Sequence, residues 1–187
     1  MKNKNAKPTK ILWMDLEMTG LDPKKDVILE VAVEITDFDF KTLATYETCI
    51  KQPKELVVKR MQANNWWQSY PDNRDHFVNN LDSGKTLMQA EQDLIALVEE
   101  HFGKEAAVLG GNSIHSDRLF IKQWMPSLDI KLHYRMLDVT SWKLFMQGKY
   151  DIDFKKPEAH RAFEDIQGSI AELQYYLDWF KKHHDDA

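Results

Sequence analysis

Four apolar residues running into two carboxylates one residue apart, Ile11-Leu12-Trp13-Met14-Asp15-Leu16-Glu17, constrain this chain more than any other stretch. A short apolar run of this kind reads as a strand entering a core. Residues i and i+2 of a strand point the same way, so Asp15 and Glu17 leave one face together near the strand's carboxyl end. Two close carboxylates repel and take up protons unless a cation holds them. A hard divalent ion such as Mg²⁺ or Mn²⁺ suits all-oxygen ligands. A solvated strand end, or an ion pair with lysine, accounts for the same pair, and D-x-E alone does not choose between these readings.

The pattern after this strand predicts an antiparallel meander. Leu21 to Asp26 form a turn, and Val27 to Phe38 alternate, with Leu29, Val31, Val33 and Ile35 on one face and Glu30 and Glu34 on the other. Thr42 to Ile50 are β-rich and supply a third strand. The period then changes. Thr86 to Phe102 has helical spacing and ends at Gly103. Ala106 to Leu109 is a short buried strand, with Gly110-Gly111-Asn112 read as a turn, and Asp117 to Met125 reads as a helix stopped by Pro126. Arg135 to Val139 is a further strand, and Ala162 to Phe180 a long final helix with Ile166, Ile170, Leu173, Leu177 and Phe180 as its inner stripe. Three hairpin strands followed by alternating helices and strands imply an α/β fold, a mixed sheet with helices packed on both sides.

At 187 residues the chain is expected to form one domain, residues 10–182, with a flexible segment 1–9 and a flexible tail 183–187. Cys49 is the sole cysteine, which excludes an internal disulfide and a thiolate zinc cluster. No apolar run approaches the roughly 20 residues of a membrane helix. The opening MKNKNAKPTK has neither signal nor anchor character, so a cytoplasmic location is expected. Proteins that track long nucleic acids usually present many cations to the phosphates. Here 25 basic residues face 30 acidic ones, so any nucleic acid should be a short piece held in a local pocket.

Two more motifs carry possible chemistry. Asp117 stands where a helix begins, where an acid also serves as a cap or first-turn charge. His160 and Asp165 lie at the entry to the final helix. Five helical steps rotate about 140° from the start, so the two converge only if His160 precedes the helix; a surface or capping histidine is the alternative.

Taken together, D-x-E in a first strand, an Asp opening a middle helix, and H-x-x-x-x-D before a last helix form an ordered set. It resembles the DEDDh 3′→5′ exonucleases on the ribonuclease-H-like fold, and within them the oligoribonucleases. The resemblance spans nearly the whole chain and rests on Asp15-Leu16-Glu17-Met18-Thr19-Gly20-Leu21-Asp22, Gly111-Asn112-Ser113-Ile114, His133-Tyr134-Arg135, Leu137-Asp138-Val139 and Ala171-Glu172-Leu173. It implies that Asp15, Glu17, Asp117 and Asp165 hold two divalent cations, Mg²⁺ or Mn²⁺, and that His160 is the general base. Two such ions roughly 3.5–4 Å apart can activate water and stabilise the leaving oxygen, and a neutral imidazole can take the water's proton.

The same resemblance implies a dinucleotide-sized pocket for short single-stranded RNA. Leu21 would wedge between bases, Trp66 or Trp67 would stack on one, and Ser113, Arg135 and Thr140 would cap the 5′-phosphate. Core packing is the alternative for the tryptophan pair, and an ion pair with Asp138 the alternative for Arg135. The chain departs from the family in its longer spacing from Met61 to the tryptophans. Gln68-Ser69-Tyr70-Pro71 also stand where a histidine is expected. Tyr134 resembles a residue that reaches the neighbouring protomer's site, which implies a homodimer. The competing functions are another exonuclease of the superfamily, such as a proofreading or single-strand DNA enzyme, and a non-catalytic nucleic-acid or nucleotide-binding module.

Overall fold

The structure is a computed structural model that describes residues 7–155 and 161–184. Its centre is β1 (Lys10–Met18), flanked on one side by β2 (Ile28–Asp37) and β3 (Thr42–Cys49). After α1 (Lys54–Gln62), α2 (Asn65–Ser69), α3 (Pro71–Asn80) and α4 (Leu87–Phe102), the chain returns as β4 (Ala107–Gly111) on the other side of β1. Then come α5 (His115–Trp124), α6 (Pro126–Asp129), β5 (Leu132–Asp138), α7 (Val139–Tyr150) and α8 (Ala162–His184). The strand order is β3-β2-β1-β4-β5. β1, β2 and β3 pair antiparallel, and β4 and β5 join parallel. This is the mixed sheet with an N-terminal meander that the hydrophobic pattern predicts.

Helices cover both faces. Leu12, Met14 and Leu16 of β1 and Val31, Val33 and Ile35 of β2 pack with Ala90, Leu94 and Val98 of α4 and with Phe120 and Ile121 of α5. On the opposite face Ile11, Trp13 and Ala32 meet Val139 of α7 and Ala162, Ile166, Ile170 and Leu173 of α8. Asp15 and Glu17 therefore share the face that α8 covers. α4 is bounded as its sequence signals: Thr86 closes a capping box with Gln89, and Gly103 ends it at a φ of 59°.

Four local expectations change. β5 begins at Leu132 rather than Arg135, and Val139 opens α7. Gly110 and Gly111 continue β4 rather than turning. A Cβ on Gly110 would lie 2.8 Å from Ile11 Cγ2, and one on Gly111 2.9 Å from the Met14 carbonyl oxygen, so both glycines permit close strand contact. α5 starts at His115, two residues earlier than expected. α8 continues past Phe180 to His184, with the His183 ring stacked on Trp179. β2 is buried on both faces, so Glu30 and Glu34 are buried as well. Each is paired: Thr42 Oγ1 and Gln167 Nε2 donate to Glu34, and Arg161 holds Glu30. Among the described residues, no helix is long and apolar enough to cross a membrane.

Candidate active site

Asp15 and Glu17, on alternate positions of β1, meet Asp165 from the first turn of α8. One carboxylate oxygen from each lies within 4.8 Å of the others. Asp117, near the start of α5, comes up beside them with its Oδ1 accepting the Leu16 backbone N–H at 3.0 Å. Four carboxylates from three distant parts of the chain thus converge where β1 ends. Burial, then the negative charges of Asp165, Glu30 and Asp117, push the Glu17 carboxyl up to about 8, against the opposing pull of Arg161. Burial also drives Asp117 up to about 7, although the Leu16 N–H favours its charged form. Protonation is how such a site relieves its charge, and divalent cations are the other way. An all-oxygen set of this charge fits hard cations.

Glu30 and Arg161 were not picked out by sequence. Glu30 is directly across from Glu17 in the β1–β2 register and is 1% exposed. Its Oε1 accepts from Arg161 Nη2 at 2.8 Å and its Oε2 accepts from Arg161 Nε at 3.2 Å. The same Oε2 accepts the Ala162 backbone N–H at 3.1 Å. Glu30 thereby fixes the start of α8, one turn before Asp165. The available signal was Glu30 set among the apolar residues of β2, since an acid buried there must find a partner. His160 lies outside the described residues.

The turn after β1 is locked by its own polar groups. Thr19 Oγ1 donates to Asp26 Oδ1 at 3.0 Å and accepts the Val27 N–H at 3.1 Å, while Asp26 Oδ2 accepts the Asp22 N–H at 3.0 Å. Leu21 projects from this rigid loop at 80% exposure. Beside it is a concavity of about 490 Å³, with Arg60, Ala63 and Asn64 on its far wall.

The two tryptophans separate. Trp67 is 1% exposed, packs edge-on against Phe77 and donates its indole N–H to the Thr19 carbonyl at 3.0 Å. It belongs to the core and braces the loop that carries Leu21, which corrects its assignment as a stacking residue. Trp66 is exposed, with its ring 4.5 Å from that of Tyr70.

At the end of β4, Ser113 donates its backbone N–H to Asp138 Oδ1 at 3.0 Å and to Thr140 Oγ1 at 2.9 Å. The expected cap hydroxyls, Ser113 Oγ and Thr140 Oγ1, are 3.2 Å apart. Asp138 is occupied by Ser113 and by the Thr140 N–H, as N-cap of α7. Among the described residues it makes no ion pair with Arg135. Arg135 is exposed, with its guanidinium 5.2 Å from the Tyr134 ring centroid, and Tyr134 is 74% exposed on the edge strand β5.

Fold and acidic cluster together define an exonuclease of the ribonuclease-H-like class, and a family model described as "Exonuclease" matches residues 12–173. Among solved structures, exonuclease I from Methylocaldum szegediense superposes with a TM-score of 0.62 over 95% of this chain at 13% identity. A zinc-bound E. coli exonuclease I in complex with single-stranded DNA superposes with a TM-score of 0.55 at the same identity. These likenesses are of fold, and this chain covers only 41% and 43% of those two proteins. A probable oligoribonuclease of Caenorhabditis elegans is 39% identical over 172 residues, covering 89% of this chain and 86% of the relative. The oligoribonuclease of Pseudomonas aeruginosa PAO1 is 37% identical over 180 residues, covering 94% and 98%. The chain belongs to the oligoribonuclease family.

Proposed function

We propose that this protein is a metal-dependent 3′→5′ exoribonuclease that degrades short oligoribonucleotides, dinucleotides above all, to 5′-mononucleotides. The observation that carries this reading is the convergence of Asp15, Glu17 and Asp165, with Asp117 alongside, at the end of the central strand. These four residues would hold two divalent cations, Mg²⁺ or Mn²⁺. When bound, such ions lower the pKa of water and stabilise charge on the leaving 3′-oxygen. The protein's own part is to hold the four carboxylates close together against their mutual repulsion. His160 takes the proton of the attacking water.

The substrate's bases meet Leu21 and Trp66, both exposed, on segments joined by the Trp67–Thr19 hydrogen bond. Its 5′-phosphate meets Ser113 and Arg135, with Thr140 behind Ser113. A pocket closed at that end favours very short RNA, consistent with the net charge of −5. Tyr134, on the open edge of the sheet, reaches the partner's site in a homodimer. Residues 10–182 act as one exonuclease domain in the cytoplasm.

The test is a time course on a 5′-labelled diribonucleotide, a heptamer and a longer RNA, with Mn²⁺ or with EDTA. Metal-dependent cleavage that is fastest on the dinucleotide is the expected result. Digestion of long strands that stalls at dinucleotides would keep the metal chemistry and discard the capped pocket. Silence on every substrate, with Mn²⁺ bound, would leave a nucleotide-binding module.

A further inference from the structure

Asn112 and Glu172 occur in two of the motifs that carry the family resemblance, yet neither is among the four carboxylates or the expected cap residues. In the fold they meet across the gap between β4 and α8. Asn112 Nδ2 donates to Glu172 Oε2 at 3.0 Å and to Ser169 Oγ at 3.1 Å. Ser169 in turn donates to the Asp165 carbonyl at 2.8 Å, and Tyr176 Oη donates to Glu172 Oε1 at 2.8 Å. Glu172 is almost fully buried, at 1% exposure.

Hydrogen-bond direction along this chain is fixed by its buried end. The amide nitrogen of Asn112 is turned to Glu172 Oε2, so its amide oxygen faces the other way. That oxygen accepts from Thr140 Oγ1 at 3.2 Å, which commits the single hydroxyl proton of Thr140. Thr140 Oγ1 is then left as an acceptor, for the Ser113 N–H at 2.9 Å and for Ser113 Oγ at 3.2 Å. The hydroxyl proton of Ser113 ends the chain and can turn to an incoming anion without breaking any other bond in it.

Ser113 also needs this support. Its φ of 49° lies in the left-handed region, which is uncommon outside glycine. The two acceptors on its N–H, from Asp138 and Thr140, hold it there.

We propose that Asn112, oriented by Glu172, is a positioning residue that makes Ser113 the hydroxyl donor to the substrate's 5′-phosphate, with Thr140 as the strut behind it. The proposal rests on the reading of this end of the site as the 5′-phosphate pocket, and it adds residues that never touch substrate. The link through Ser169 to Asp165 places the phosphate end and the metal-bearing helix on one scaffold.

The test compares kcat/KM for a diribonucleotide with a 5′-phosphate and for the same dinucleotide with a 5′-hydroxyl. The ratio is internal to each preparation and does not depend on how much of a variant is folded. Asn112→Ala and Glu172→Ala should lower the wild-type ratio about tenfold, the scale of one hydrogen bond to a charged group. Glu172→Gln should retain the ratio, because its carbonyl still accepts from Asn112. Thr140→Val should lower it, and Thr140→Ser should retain it. A ratio unchanged in Asn112→Ala, with both substrates slowed equally, would make Asn112 merely structural and overturn the proposal. A wild-type enzyme indifferent to the 5′-phosphate would overturn the pocket reading itself. The two failures are therefore distinct.

Discussion

Glu17 and Asp117, raised to about 8 and about 7, hold protons at a pH where ordinary carboxylates are charged. Cation binding must displace those protons, so apparent Mn²⁺ affinity should climb from about pH 6 to about pH 8.5 and then level off. Calorimetry in buffers of different ionisation enthalpy should show protons released on binding; an affinity flat with pH would contradict this. The sign for metal-free stability is the reverse. A carboxyl raised in the folded state contributes stability that is complete below its unfolded pKa and is lost as pH rises through its folded pKa. The metal-free protein should therefore melt at a lower temperature near pH 8.5 than near pH 6, and Mn²⁺ should cancel that difference. At the same scale, Asp15→Ala should abolish turnover, and single-turnover assays at saturating Mn²⁺ would expose any residual rate. His160→Ala should lower kcat by about 10²–10⁴ while leaving dinucleotide affinity largely intact. If affinity falls in step with kcat, His160 has a structural role instead.

α2 sets two adjacent, identical side chains about 100° apart, one exposed and one in the core. Trp67→Ala should cost about 3–5 kcal/mol of stability by emptying a packed site and removing one of the two donors to the Thr19 carbonyl, read by denaturant unfolding. Trp66→Ala should leave the unfolding midpoint in place and weaken dinucleotide binding by about 1–3 kcal/mol, the scale of one base–aromatic stack. Equal stability losses in the two variants would refute this division. The sequence did not reveal which tryptophan was which, because α2 has only five residues, too few to display a period. The helices between β3 and α4 and the helix α7 escaped for a related reason: they alternate apolar and polar residues weakly, and tertiary contacts set their positions. β1, β2, α4 and α8 were legible because each carries a sustained period with clear end signals. The acidic set was legible by motif. Glu30–Arg161 and Asn112–Glu172 were not, since a buried polar pair leaves no periodic trace and its partners are far apart in the chain.

Across the whole molecule, one edge of the sheet is β5, with Tyr134 and Met136 exposed along it and Leu144 and Phe145 exposed on the following helix. An edge carrying exposed apolar side chains is ordinarily covered, which is consistent with the proposed homodimer. If Tyr134 serves the partner's site, mixing Tyr134→Ala with inactive Asp15→Ala should restore activity. In the mixed dimer the Tyr134→Ala protomer keeps its carboxylates and receives Tyr134 from its neighbour. No gain on mixing, or a fully active monomer in sedimentation, would remove the dimer from the mechanism.

The Glu30–Arg161 clamp joins residues 131 positions apart, and it fastens the helix that delivers Asp165. Domains emerge from the ribosome N-terminal end first, so β1 and β2 are in place long before α8 exists. Until the clamp closes, the growing chain carries Asp15, Glu17 and Asp117 without the residue that completes their set. The four-carboxylate set is complete only once the last helix has been made and docked against β2.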